Sequence, residues 1–356
     1  MSANELPIAF VSAGDVVAAN IALPIAGLII VPLRFWMRTS RKMGIQIDDW
    51  LILAALVFVI GMSIAQLYGV SQHAVGYPSR DYATPIEQLT SLPPEQRLTE
   101  LIYWITWLLM LPANGLIKLS TVFLYRRIFL VGKGSAFGIT STAVGLICLL
   151  WTIAFFFATV FGCGTHVDRA WGTLADIMSC NTNMRLDAMM ISDLITDVMV
   201  WALPIPVVWG LRISVARKLA VIAVFMLAGA SLAAAVVRLI IQIQISHGGY
   251  SAHTNVNLTL TTNLYWCIIE SGIALIASCL PTLRVLFRIT TISSAYNSLR
   301  SKLGMSTQSS EMRVRSMNMG DSLDKMPSLN IHVNQGFSVE TETKRSSSDR
   351  SDKSLV

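Results

Sequence analysis

The chain has 356 residues, a formal charge of +6, five cysteines and only 13% charged residues, with a mean hydropathy of +0.58. A soluble domain carries about a quarter charged residues, so this composition excludes a disordered chain, a disulfide-rich secreted domain and an ordinary cytosolic enzyme. The apolar surplus needs lipid, and basic residues spread through alternate loops, never in a block of five, do not point to nucleic acid.

A bilayer core takes about 20 mostly apolar residues per helix. Seven such stretches run in order over residues 14–33, 50–70, 101–125, 137–161, 187–210, 219–245 and 263–287. The expected fold class is all-α, a polytopic seven-helix transmembrane bundle over residues 14–288 behind a short outer segment, 1–13. Pro24, Pro112, Pro204, Pro206 and Pro281 interrupt several spans, which membrane helices tolerate because neighbours re-satisfy the freed backbone. Met1–Leu23 has no Lys or Arg ahead of its apolar run and does not read as a cleaved signal peptide.

The loops predict orientation. One set holds Arg34, Arg38, Arg41, Lys42, Arg126, Arg127, Lys133, Arg212, Arg217, Lys218, Arg284 and Arg288. The other holds only Arg80, Arg97, Arg169 and Arg185. Basic residues favour the cytosolic side, so the amino terminus is expected outside and the carboxyl terminus inside. Cys163 and Cys180 share one outer loop, where an oxidising exterior would permit a disulfide worth roughly 3 kcal/mol; two unpaired thiols are the alternative. Asn257-Leu258-Thr259 is a glycosylation sequon on the same side, used or unused. Trp and Tyr near span ends read as interfacial anchors.

Residues 289–356 contain 16 serines among 68 residues and are expected to be a disordered cytosolic tail. Arg313-Val314-Arg315-Ser316 and Lys344-Arg345-Ser346-Ser347-Ser348 would suit basophilic kinases, against the plainer reading of a solvated tail.

Five ionisable residues fall within spans: Lys118, Asp193, Asp197, Arg238 and Glu270. Lipid exposure of such groups costs at least a few kcal/mol, so each is a functional candidate. Straight-helix counting from the inner arginines places Lys118 about 12 Å deep, Asp197 and Glu270 about 21–22 Å, and Asp193 and Arg238 about 28–30 Å. Asp193 would then pair in height with Arg238, and Asp197 with Glu270. Converging faces would make an outward-opening polar pocket, with one carboxyl of the Asp197–Glu270 pair keeping its proton. Interhelical ion pairs that only fix packing, a ligand pocket, and a proton or ion path all remain open.

Catalytic motifs are missing. The sequence has no Cys-x-x-Cys, His-Glu-x-x-His or phosphate-loop pattern and no nucleophile-with-base arrangement, so no enzyme, metal or cofactor is expected. Arg34 and Arg38 before Asp48-Asp49-Trp50 open a series of motifs, followed by Tyr68-Gly69 with His73 and by Lys118-Leu119-Ser120 leading to Tyr125-Arg126-Arg127-Ile128-Phe129. Cys163, Cys180, Asp187, Asp193 and Asp197 follow, then Leu203-Pro204-Ile205-Pro206, Trp209 and Arg238, and Glu270 with Cys279-Leu280-Pro281-Thr282-Leu283-Arg284. In this combination the chain resembles the fungal rhodopsin-like domain family, which includes Pth-eleven-like receptors and membrane proteins encoded in secondary-metabolite gene clusters. Ser71 stands where the family has the second glycine of Gly-x-Gly-x-His.

The resemblance implies membership and topology; with the span charges it leads to the expectation of a receptor-like plasma-membrane protein sensing an extracellular small molecule around Asp193, Asp197, Arg238, Glu270 and Lys118. Arg126, Arg127 and Arg217 would contact a cytosolic partner, a heterotrimeric G protein in such a scheme. The alternative is a proton-coupled transporter, or an accessory membrane protein of a secondary-metabolite cluster.

Overall fold

A computed structural model of the chain describes residues 10–302 apart from 43, 80–83, 85, 86, 88, 89, 130–135, 207–214 and 249–254; within these, side chains are described outside 215–224, 247, 248 and 283–302. The helices are α1 (Ala13–Ser40), α2 (Ile47–Ser71), α3 (Pro94–Phe129), α4 (Ala136–Val160), the short α5 (Leu174–Ser179), α6 (Thr182–Ala202), α7 (Val215–Gly248) and α8 (Val256–Lys302). A 3-10 turn, Val167–Trp171, precedes α5. No strand occurs among the described residues.

Six of these helices are long and apolar enough to cross a membrane: α1, α2, α3, α4, and the Phe225–Ser246 and Val256–Thr282 parts of α7 and α8. The seventh, α6, has 21 residues. At 1.5 Å per residue it spans about 31 Å, the thickness of a hydrocarbon core. Its lower hydropathy comes from Arg185, Asp187, Asp193 and Asp197. The order of seven long helices follows the sequence pattern.

Several helix ends differ from it, with α3 and α8 also starting earlier, at Pro94 and Val256. α1 continues to Ser40 because Arg34 and Arg38 are buried within the bundle rather than solvated in a loop. α6 stops at Ala202, ahead of Pro204 and Pro206, which lack the N–H that a helix needs. α8 runs on as helix to Lys302, past the expected end of the membrane domain. The serine-rich remainder, with both kinase-type motifs, lies outside the described residues.

α3 and α8 occupy the middle. α8 packs against α1, α2, α3 and α7, while α3 packs against α2, α4, α6 and α8. α4 lies at the periphery and turns Ile139, Leu150, Ile153 and Phe157 outward, as lipid contact requires. It approaches α3 closely at Gly115, where any Cβ would collide with Thr152. Small residues at membrane helix crossings permit such contact.

The bundle has two distinguishable ends. At one, Cys163 and Cys180 form a disulfide with Cα atoms 4.9 Å apart, as the shared loop suggested. That loop folds onto α3, where Trp104 meets Trp171 at 5.1 Å and donates to the Thr159 carbonyl at 3.3 Å. Thr173 caps α5, its hydroxyl and backbone N–H holding the Asp176 carboxyl below the usual carboxylate range. At the other end α3 finishes with Arg126 and Arg127. The first is the disulfide end of the bundle and the second its arginine end.

Candidate functional site

The five span charges meet in one network. α6 places Asp193 and Asp197 four residues apart, hence on one face, with Thr196 beside them. From α3, the Lys118 ammonium lies 2.5 Å from Asp193 Oδ1, 3.0 Å from Asp197 Oδ1 and 2.8 Å from the Thr196 hydroxyl. It sits over the Trp151 ring of α4, 4.9 Å from the centroid, a cation–π contact. From α7, Arg238 donates to Glu270 of α8 at 2.5 Å and stands 3.9 Å from Asp193. Its guanidinium stacks over Trp107 of α3 at 4.9 Å.

A polar layer orients these charges. Asn114 donates to Glu270 Oε1 at 2.7 Å, and its own carbonyl accepts from the Ser271 hydroxyl at 2.8 Å. Ser231 of α7 donates to the Glu270 backbone carbonyl at 3.3 Å. Charge-assisted bonds of this kind are the strong ones, and in a low-dielectric interior they fix geometry.

The convergence agrees with the sequence, but the pairing does not. Arg238 bonds Glu270 rather than chiefly Asp193, and Lys118 reaches both aspartates although counting put it well below them. Counting residues along straight helices gives Cα heights, and long Lys and Arg stems shift the charge by several ångströms.

The cavity is also placed differently. A space of about 80 Å³ lies between α3, α6, α7 and α8, reached by Lys118, Asp197, Glu270, Tyr125, Trp201 and Pro281 among others. α3 runs from the disulfide end, so Tyr125 marks the arginine end. The cavity therefore extends from the charge network toward the arginine end and not outward past Arg238. Asp197 is the most accessible of the five, with 20% of its side chain exposed against 1–5% for the others.

The sequence missed a second network. Arg34 bonds Asp48 at 2.6 Å and Asp49 at 2.8 Å, while Arg38 bonds Asp49 at 2.8 Å and also Asp48. All four are essentially buried. Arg34 further donates to the Ser278 carbonyl of α8 at 2.8 Å, and Ser120 of α3 donates to the Asp48 carbonyl at 2.6 Å. Ser278, whose carbonyl takes the Arg34 bond, also lines the cavity. The i, i+4 arginines ahead of an Asp-Asp pair at the next helix start were the available signal.

Other predicted residues are not brought to the site. Arg126 bonds the Thr142 hydroxyl at 2.5 Å on the arginine end, Arg127 ends the same helix, and the Arg217 side chain lies outside the described residues. Asn257 is only 3% exposed within the first turn of α8, so the sequon does not present its amide for a glycan in this fold. The carboxylate oxygens of Asp193, Asp197 and Glu270 lie within 4.8 Å of one another, a spacing that suits a cation. Lys118 and Arg238 already supply positive charge there.

The Fungal rhodopsin domain family matches residues 33–289, which contain both charge networks and the cavity. The chain belongs to that family. It is 28% identical over 273 residues to the "Polyenoic acids biosynthesis gene cluster protein Ba17b" of Metarhizium anisopliae, covering 73% of this chain and 70% of that one. It is 22% identical over 281 residues to the "Phomoidride biosynthesis cluster protein H" of a Fungal sp., covering 72% and 82%. A "SAT4 family membrane protein" of Emericella nidulans is 27% identical over 206 residues, covering 56% of this chain and 49% of that one. No solved structure matches. This fungal rhodopsin-domain protein is thus a multi-pass membrane protein related to proteins of secondary-metabolite clusters.

Proposed function

We propose that the protein is a receptor-like plasma-membrane protein whose five-charge network is the switch. The observation that carries this reading is that Lys118, Asp193, Asp197, Arg238 and Glu270 come from four different helices and share partners. A small molecule that competes for one pair repacks α3, α6, α7 and α8 together, which is how interhelical switches amplify a local contact. The amino terminus faces outside, on the positive-inside argument, even after Arg34 and Arg38 are set aside as buried and neutralised. The arginine end is then cytosolic, and Arg126, Arg127 and Arg217 lie where a heterotrimeric G protein would dock.

A second reading, a proton-coupled transporter or an accessory protein of a secondary-metabolite cluster, is favoured by the cavity. It ends on Asp197 and approaches from the arginine end, whereas an outer ligand would enter from the disulfide end. Alanine at Asp197 or Glu270, compared for surface expression and for ligand-dependent output in a fungal host, tests the first reading. Output lost at normal surface level supports a switch; loss of surface protein alone assigns the network to packing.

A further inference from the structure

α3 turns a polar face inward along its length. Glu100, Tyr103, Trp107, Asn114 and Lys118 recur at intervals that keep them on one side, and all are buried. Glu100 is 5% exposed, with no counter-charge within ion-pair distance among the described residues. It lies about 21 Å from Asn114 along the helix, toward the disulfide end. Between Glu100 and the charge network the Thr106 hydroxyl and Asn263 Nδ2 are buried without a hydrogen-bond partner, as is Nε of Arg238 within the network. Native interiors satisfy such groups with internal water when protein partners are lacking.

On the other side of the network the 80 Å³ cavity continues toward the arginine end. Where it meets Lys118, Asp197 and Glu270 the cavity is lined by charge, and internal water fills polar spaces of this kind. Two cations face three carboxylates here, so one negative charge is left for a proton to neutralise.

We propose that the cavity and the α3 seam form one proton route across the bundle, running from Asp197 through Glu270 to Glu100. Water in the cavity gives a proton to the Asp197 carboxylate, Glu270 receives it across a gap that the network keeps within 4.8 Å, and the seam passes it to Glu100. Glu100 releases it to water at the disulfide end. Only O–H bonds form and break, nothing is oxidised, and the direction follows the proton gradient. The groups around Asp197 are Lys118 and Tyr125 from α3, Asp193 from α6, Arg238 from α7, Glu270 from α8 and Cys148 from α4. Tyr103 and, through it, Arg238 and Cys267 are the groups toward Glu100. The proposal rests on the transport reading of the network and stands or falls apart from the receptor reading.

The test is proton flux into liposomes holding the purified full chain and an entrapped pH dye, driven by a valinomycin-clamped potassium potential. The route predicts flux above protein-free vesicles, falling to the protein-free level in Asp197→Asn and in Glu100→Gln and unchanged in the loop variant Asp168→Asn. Flux equal to protein-free vesicles, or full flux in either carboxylate variant, overturns it. Should a carboxylate variant fail to give monodisperse protein, Ala277→Cys on the cavity wall decides the access half. Labelling by an impermeant thiol reagent only from the side bearing the carboxyl terminus is expected; labelling from the other side, or from neither, overturns the route. Flux without coupled ligand output leaves transport standing and removes the receptor reading, and the reverse result does the opposite.

Discussion

Arg34 on α1 and Asp49 on α2 form an ion pair 2.8 Å long in which neither side chain is exposed to solvent. Asp48 and Arg38 complete the set, and the Ser278 and Asp48 carbonyls tie it to α8 and α3. Removing one member of a buried pair strands its partner, which costs about 3–5 kcal/mol. Arg34→Met should lower the unfolding free energy of the detergent-solubilised protein by that order, and Asp49→Asn by a similar amount. The double variant should cost less than the two losses combined, because the stranded charge is gone. Full additivity would show that the pair is not a unit.

Lys118 is the only cation within hydrogen-bond distance of both Asp193 and Asp197 among the described residues. Lys118→Met leaves buried Asp193 and half-buried Asp197 without their shared cation and should destabilise the protein by about 3 kcal/mol. Adding Asp193→Leu should restore a large part of it. Thermal unfolding of the single and double variants reads both values, and a silent single variant would mean that the network does not hold α3 to α6.

Much of this was legible in the sequence. The seven spans, their order and the Cys163–Cys180 bond follow from hydropathy, length and the placement of two cysteines in one loop. The five span charges stood out because lipid forbids them unless they are paired. Their partners were not legible, since helix counting gives height but neither tilt nor the reach of Arg238 and Lys118. Arg34 and Arg38 were read as loop charges because an arginine at a span end looks the same whether it is solvated or paired with Asp48 and Asp49. Asn114, Ser231 and Ser271, which orient Glu270, carry no charge and gave no signal. The burial of Asn257 was not legible because a sequon specifies three residues and nothing about their exposure.

That burial gives a prediction of its own. With Asn257 only 3% exposed, the folded protein should carry no glycan there. Treatment with an N-glycosidase after expression in a eukaryotic host should leave its gel mobility unchanged. A mobility shift abolished by Asn257→Gln would show that α8 begins later than Val256 in the cell.

On the receptor reading, the buried five-charge network controls what the arginine end presents to the cytosol. Proximity labelling from a ligase fused after Val356, in a fungal host, tests it most directly. The expected result is reproducible enrichment of a G-protein α subunit that is lost when Arg126 and Arg127 are replaced and altered when Asp197 is replaced at equal surface level. A neighbourhood of biosynthetic enzymes without a G protein, unchanged by Asp197→Ala, would contradict it.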